Sequence, residues 1–353
     1  MMTINTPYLL KALTMAVQAG ASDVHFTVGQ SPIFRIRDVL QASQINEPIS
    51  EEVLLSEIKT ILLPDAYEKL MLHNDADFSY DFGDMGRFRF AAYWKSGKPA
   101  LAARVIPLEI PSLEDIEAPE AVLDFVALHE GLILVTGPTG AGKSTLLASM
   151  VEEINQNDHK HIVTLEDPIE FIYTPKNCLI SQRELGVDFV SFSEGLRHCF
   201  RQDPDVILIG EMRDQDTMHT ALTLAETGHL VLATLHTGNA EQTIDRIVSS
   251  FPAAQQHQIR LQLSLVLRGA ISQILVPSVT GELIAVREVL TNTVAVSNVI
   301  REGKTEQIPN IIYSSMSDKM VDLDRDLQQL LQEGRISPQV AHEHARNKEH
   351  FKQ

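Results

Sequence analysis

Gly137-Pro138-Thr139-Gly140-Ala141-Gly142-Lys143-Ser144-Thr145 is the stretch that decides the fold. It fits the spacing G-x-x-x-x-G-K-[ST], and both flanks suit it. The uncharged run GLILVT (131–136) precedes it, and a helical pattern starts at Lys143. Glycines let the backbone curl until its N–H groups point inward at phosphate oxygens. The N-terminus of the following helix adds positive partial charge. Lys143 is then expected to reach the β- and γ-phosphates of a nucleotide, and the Ser144 hydroxyl to bind Mg²⁺. The bland alternative is a Gly-rich turn that binds nothing, and the two flanks weigh against it.

Downstream, uncharged strand candidates continue to alternate with helices. HIVTLE (161–166), DVILIG (205–210) and HLVLATL (229–235) are separated by helical patterns near 192–202 and from 213. Such runs imply a mostly parallel sheet covered on both faces. From about residue 291 the pattern is mostly helical. Val321, Leu323, Leu327, Leu330 and Leu331 form an apolar stripe there, suited to core or subunit packing rather than a membrane anchor.

Upstream, residues 1–106 mix periods. Leu9, Leu10, Leu13, Ala16 and Val17 repeat at helical spacing and stop at Gly20. DVHFTV (23–28) and PIFRIRDVL (32–40) read as strands, and Ser50 followed by acids opens a helix through Leu62. DFSYDF (77–82), RFRFAAYW (87–94) and PALAARVI (99–106) alternate as strands, with a turn at Lys95-Ser96-Gly97-Lys98. A small mixed α/β domain is expected. Between the halves, PLEIPSLEDIEAPE (107–120) holds five acids, no bases and three prolines, and reads as a linker. A surface loop within one domain is the alternative. The expected division is 1–106, 107–120 and 121–353.

Composition agrees with a folded chain. Of 353 residues 44% are hydrophobic, enough for a core and too many for disorder. The net charge of −18 argues against a surface that grips nucleic acid through many phosphates. That charge is uneven. Residues 1–106 hold ten Lys/Arg against twelve Asp/Glu, so the acidity lies in the linker and the second half. Cys178 and Cys199 cannot build a disulfide framework or a four-thiolate zinc site. No secretory leader pattern and no run of ~18 apolar residues is found, so a cytosolic chain without a membrane span is expected.

A nucleoside triphosphatase also needs a carboxylate near the metal and the attacking water. Glu211 follows the run ending at Gly210, and the carboxyl end of a parallel strand is where ligands sit. It is the candidate to orient and deprotonate water, against the reading of a solvated acid. The usual metal-binding Asp is absent at that strand end. Glu166, beside Asp167 at the end of HIVTLE, is the candidate to assist the metal or the water. His229 and His236 bracket the next run, about 20 Å apart if the run is a strand, so both cannot touch one phosphate. His236 is the expected γ-phosphate sensor, and His229 is assigned to a neighbouring contact. In the first domain the turn at 95–98 sets Arg89 roughly opposite Arg104, or within one residue of it, with Arg87 on the same face. Like charges across a strand pair are destabilising unless an anion joins them, and guanidinium forks suit a γ-phosphate in transfer. Snorkelling surface arginines are the competing reading.

These stretches resemble a known family. GPTGAGKST, TLEDPIEF (164–171), DPDVILIGEMRD (203–214) and TGHLVLATLHT (227–237) are similar, in order and spacing, to the Walker A, Asp, Walker B and His boxes of secretion-superfamily ATPases. GASDVHFTVGQSP (20–32), the pair Arg89 and Arg104, and VIREGKTEQIPNII (299–312) resemble the PilT-type branch, the type IV pilus retraction ATPases. The resemblance implies a PAS-like first domain, a RecA-like second domain and a homo-hexameric ring. It also implies ATP and Mg²⁺ as ligands, with Glu211 as catalytic base and Glu166 assisting. Domain closure would then pull on an inner-membrane pilus platform protein from the cytoplasmic side, with a second retraction ATPase as a further partner. Accessory retraction ATPases of the PilU type and traffic ATPases of type II/IV secretion share the same boxes. Ala141 in place of the usual Ser, Ser297 in place of the usual Arg, and IRDVLQ (36–41) without its usual glycine depart from the pattern.

Overall fold

Alternating apolar residues build the first sheet, in a computed structural model that describes residues 7–36, 39–62, 64–106, 109–315 and 319–351. The chain divides into two units, Met1–Glu109 and Ile110–Gln353. The first carries α1 (Pro7–Gln18), β1 (Asp23–Thr27), β2 (Ile33–Ile36), β3 (Val39–Ala42), α2 (Glu51–Ile61), α3 (Pro64–His73), β4 (Asp75–Asp81), β5 (Arg87–Lys95) and β6 (Lys98–Val105). Its antiparallel sheet has the order β3-β2-β1-β6-β5-β4. Val24, Phe26, Phe88, Phe90 and Leu101 point to one face and are fully or almost fully buried with Leu9, Leu13, Leu54 and Ile58 of the helices. Each such side chain contributes roughly 1.5–3 kcal/mol by leaving water. Ser50 caps α2 by accepting from the Val53 amide. From α2, the buried Glu57 reaches the start of α1 and accepts from the Tyr8 and Leu9 amides at 3.0 and 2.7 Å.

The expected strand over PIFRIRDVL proves to be two paired strands, β2 and β3, with Arg37 and Asp38 outside the described residues. The turn at Ser96-Gly97 has the expected place, with φ of 52° and 75°. Two positive φ values match the primed turn that the twist of a tight hairpin prefers. Its register sets Arg89 directly opposite Arg104.

The second unit contains α4 (Glu120–Val126), β7 (Gly131–Thr136), α5 (Lys143–Asn157), β8 (His161–Glu166), β9 (Leu179–Glu184), α6 (Phe192–Cys199), β10 (Val206–Ile209), α7 (Gln215–Glu226), β11 (Leu230–Leu235), α8 (Ala240–Ser249), α9 (Ala253–Val266), β12 (Leu267–Pro277), β13 (Leu283–Thr291), α10 (Val294–Glu302), α11 (Ile308–Ser314), α12 (Leu323–Gln332) and α13 (Pro338–His344). The sheet order is β13-β12-β7-β11-β10-β8-β9; all adjacent pairs are parallel except the edge pair β12–β13. β7, β10 and β11 are buried along their whole length because helices cover both faces. Leu132 and Leu134 enter one core, Ile133 and Val135 the other.

Residues 110–119, read from composition as part of a linker, pack on this second unit instead. Ile110, Leu113, Ile116 and Ala118 lie against the core on the α5 side of the sheet, with Leu113 buried. The apolar residues recur every second or third position between the acids, which lets the segment lie flat with its charges outside. Pro107 and Leu108 lie outside the described residues. Among the described residues no helix is long and apolar enough to cross a membrane.

Candidate active site

Four loops leave the carboxyl ends of β7, β8, β10 and β11 on one side of the second sheet. The first is the phosphate loop. Its backbone needs φ of +145° at Gly137 and +79° at Gly142, values that L side chains rarely adopt. Gly142 is the N-cap of α5, so the amide groups of the first helical turn face the loop. Lys143 is buried, and its Nζ donates to the carbonyls of Gly137 and Pro138 at 2.8 and 2.9 Å. Burial pushes its pKa down, while the nearby carboxylates of Glu211 and Glu170 pull it back up. The ammonium is therefore held over the loop and already feels the acids across from it.

Glu211 leaves the end of β10 with both oxygens engaged. Arg213 Nη2 lies 2.8 Å from Oε2, and His236 Nε2 lies 3.3 Å from Oε1. Arg213 also reaches toward Asp167, at 3.8 Å. These groups line a cavity of about 260 Å³ that includes Thr237 and Arg246. His236 sits just past the end of β11, on the same side as the loop. His229 does not. It precedes β11, its carbonyl accepts from the Gly131 amide at the opposite end of β7, and its Nδ1 lies 3.0 Å from the Leu224 carbonyl. A six-residue strand separates the two imidazoles by about 20 Å. His229 therefore lies away from the chain's own phosphate loop.

Glu166 ends β8 and is buried. Thr164 Oγ1 donates to its Oε1 at 2.7 Å and Gln182 Nε2 at 3.2 Å; the Glu170 amide lies 3.5 Å from Oε2. Desolvation outweighs these donors and pushes its pKa up from 4.5 to about 7. Thr164 and Gln182 went unread in the sequence. Thr164 sits in an apolar run, and Gln182 lies on β9, whose weak pattern gave no strand.

In the first unit, register places Arg35, Asp23, Arg104, Arg89 and Ser79 in one row across β2, β1, β6, β5 and β4. Arg104 Nε donates to Asp23 Oδ1 at 2.9 Å, and Arg35 stands 4.0 Å from the same carboxylate. Asp23 is the residue the arginine-pair reading missed. It supplies one anion to a row of three arginines, which remains net positive.

A phosphate loop on a parallel sheet, faced by an acid that follows β10, the next strand but one, defines a P-loop nucleoside triphosphatase. Comparison narrows the class. The family model described as "Type II/IV secretion system protein" matches residues 3–349, so the chain belongs to that family. It is 42% identical over 325 residues to the protein YggR of Escherichia coli, covering 92% of this chain and 98% of the relative. It is 39% identical over 347 residues to the type IV pilus retraction ATPase PilT of Pseudomonas aeruginosa, covering 97% and 99%. A crystal structure of the pilus retraction motor PilT with bound ADP superposes with a TM-score of 0.90 at 40% identity, over 97% of this chain and 98% of that one.

Proposed function

We propose that the chain is an ATP-hydrolysing motor of type IV pilus retraction. It works as a homo-hexamer on the cytoplasmic side of the inner membrane, against a pilus platform protein. The observation that carries the ATPase reading is Glu211, fixed by Arg213 and His236 at the end of β10, within electrostatic reach of Lys143. End-to-end similarity to PilT supports retraction rather than export.

The residues divide the chemistry. The loop amides of 137 and 139–145, with Lys143, hold the phosphate chain, and Pro138, which has no N–H, shapes the loop. Glu211 accepts a proton from water as the water oxygen bonds to the γ-phosphorus. The bond from that phosphorus to the β–γ bridging oxygen breaks, and its electron pair stays on ADP. His236 senses the γ-phosphate and steadies Glu211. Arg89 and Arg104 serve as arginine fingers, balancing charge that spreads over the γ-oxygens.

The donor set fits Mg²⁺. The Ser144 hydroxyl and the Glu166 carboxylate are hard oxygen donors, of the kind such a cation takes alongside phosphates and water. Ser144 would hold it directly, with Glu166 assisting the ion or a water. A buried carboxyl with its pKa raised to about 7 gains most from a cation beside it. Bound there, the ion would neutralise charge on the β- and γ-oxygens.

Glu211→Gln tests the assignment. It is expected to keep ATP binding and to lower hydrolysis by roughly 10²–10⁴-fold, the usual worth of a positioned base. Unchanged hydrolysis would overturn the role of Glu211. In cells, deletion is expected to abolish twitching and leave excess surface pili. Retained twitching would point to an accessory or export role.

A further inference from the structure

Gln273 and Arg287 face each other directly across the β12–β13 pair and are almost wholly buried. Neither takes part in the site described above, yet every polar arm of the pair is engaged. Gln273 Nε2 donates to the Ala141 carbonyl of the phosphate loop at 2.5 Å. Its Oε1 accepts from Arg287 Nε at 2.7 Å. Arg287 Nη1 and Nη2 donate to the carbonyls of Glu117 and Ile116, both at 2.9 Å, and its amide donates to Asp326 of α12 at 2.7 Å.

The loop is fitted to this pair from its own side as well. A Cβ on Gly142 would stand 2.8 Å from Gln273 Nε2, and one on Gly137 would stand 2.2 Å from the Gln273 carbonyl oxygen. At the far end the segment is gripped a second time, by Arg335 Nη2 on the Glu117 carboxylate at 2.7 Å. Glu117 itself takes a φ of 49°, a conformation an acidic side chain seldom holds unless its surroundings fix it.

We infer that Gln273 and Arg287 are positioning residues that relay the state of the phosphate loop to residues 110–119, the stretch by which the chain enters the second unit. The inference rests on the reading of that loop as a nucleotide site. Buried hydrogen-bonding groups move together, because separating them leaves both without water. A phosphate that turns the Ala141 peptide therefore turns the Gln273 amide. That amide re-aims the rigid Arg287 fork, and the fork shifts the peptides of Ile116 and Glu117. The chain leading to the first unit then carries the nucleotide state.

Hydrogen exchange of the full chain tests this, with and without a saturating non-hydrolysable ATP analogue whose occupancy is checked by titration. The Glu117 and Ala118 amides, bonded to the Glu114 and Leu113 carbonyls, are the reporters. In the wild type their exchange is expected to change by about tenfold on binding. Gln273→Glu keeps an acceptor for Arg287 and removes the donor to Ala141. Arg287→Lys keeps the charge but replaces the rigid fork, whose three nitrogens each hold a partner, by a single nitrogen on a flexible stem. Both are expected to bind the analogue and to lose that response. A merely structural role would alter the basal exchange and leave the response in place. A persistent response in Gln273→Glu, or none in an analogue-bound wild type, overturns the relay. Failure of the wild type to bind would overturn the nucleotide reading, and the relay with it.

Discussion

Glu166→Gln gives a quantitative test, because burial of the carboxyl sets the sign of its pH dependence. The Glu166 carboxyl titrates near 7 in the folded chain and near 4.5 when exposed. Below about pH 4.5 it is protonated in both states and contributes nothing to pH dependence. Between the two values the unfolded chain releases a proton that the folded chain keeps, so stability falls as pH rises. Above pH 7 the whole penalty is present, about 3 kcal/mol for this difference. Gln keeps an oxygen able to accept from Thr164 and Gln182 and never ionises. In buffer free of nucleotide and Mg²⁺, the variant should therefore match the wild type near pH 5 and exceed it at pH 8. At roughly 2–4 °C per kcal/mol, the second unit's Tm should rise by roughly 6–12 °C at pH 8. Differential scanning fluorimetry across that range measures it. Parallel pH curves for the two proteins would refute the claim that burial dominates the Glu166 environment.

Four further substitutions separate the proposed roles. Arg89→Ala and Arg104→Ala should each lower kcat much more than nucleotide affinity, since a finger acts on the transition state. A loss confined to affinity would remove the finger assignment. His236→Ala should reduce hydrolysis through the freed Glu211 Oε1, whereas His229→Ala, at the other end of β11, should leave an isolated chain's nucleotide affinity unchanged. Isothermal titration and a phosphate-release assay distinguish the two, and a loss of nucleotide affinity in His229→Ala would contradict their separation.

Local pattern revealed most of what depends on neighbours in sequence. β7, β10 and β11 stand out because strands buried on both faces carry no charge, and the phosphate loop because its glycines have backbone work to do. The Arg89–Arg104 pairing was readable because a two-residue turn leaves one register. What escaped depends on distant partners. PIFRIRDVL looks continuous, and only pairing reveals the fold-back into β2 and β3. The Gln273–Arg287 pair leaves a trace, two polar residues in ISQILV and a charged pair in IAVREVL, but which strand faces which is set by tertiary register. The packing of residues 110–119 escaped for a related reason: a Pro-rich acidic stretch can still bury Leu113 and half-bury Ile116 when a hydrophobic wall lies beside it.

The pairing of Arg104 with Asp23 bears on how readily that arginine changes partner. The Arg104 side chain is 66% exposed, so water and salt screen the bond and it contributes little stability. Such a bond orients without binding tightly. The guanidinium is held in a narrowed set of directions by a bond that costs little to exchange. Under the proposed finger role, Asp23 would be a holster for Arg104, lowering the entropic cost of the draw without resisting it.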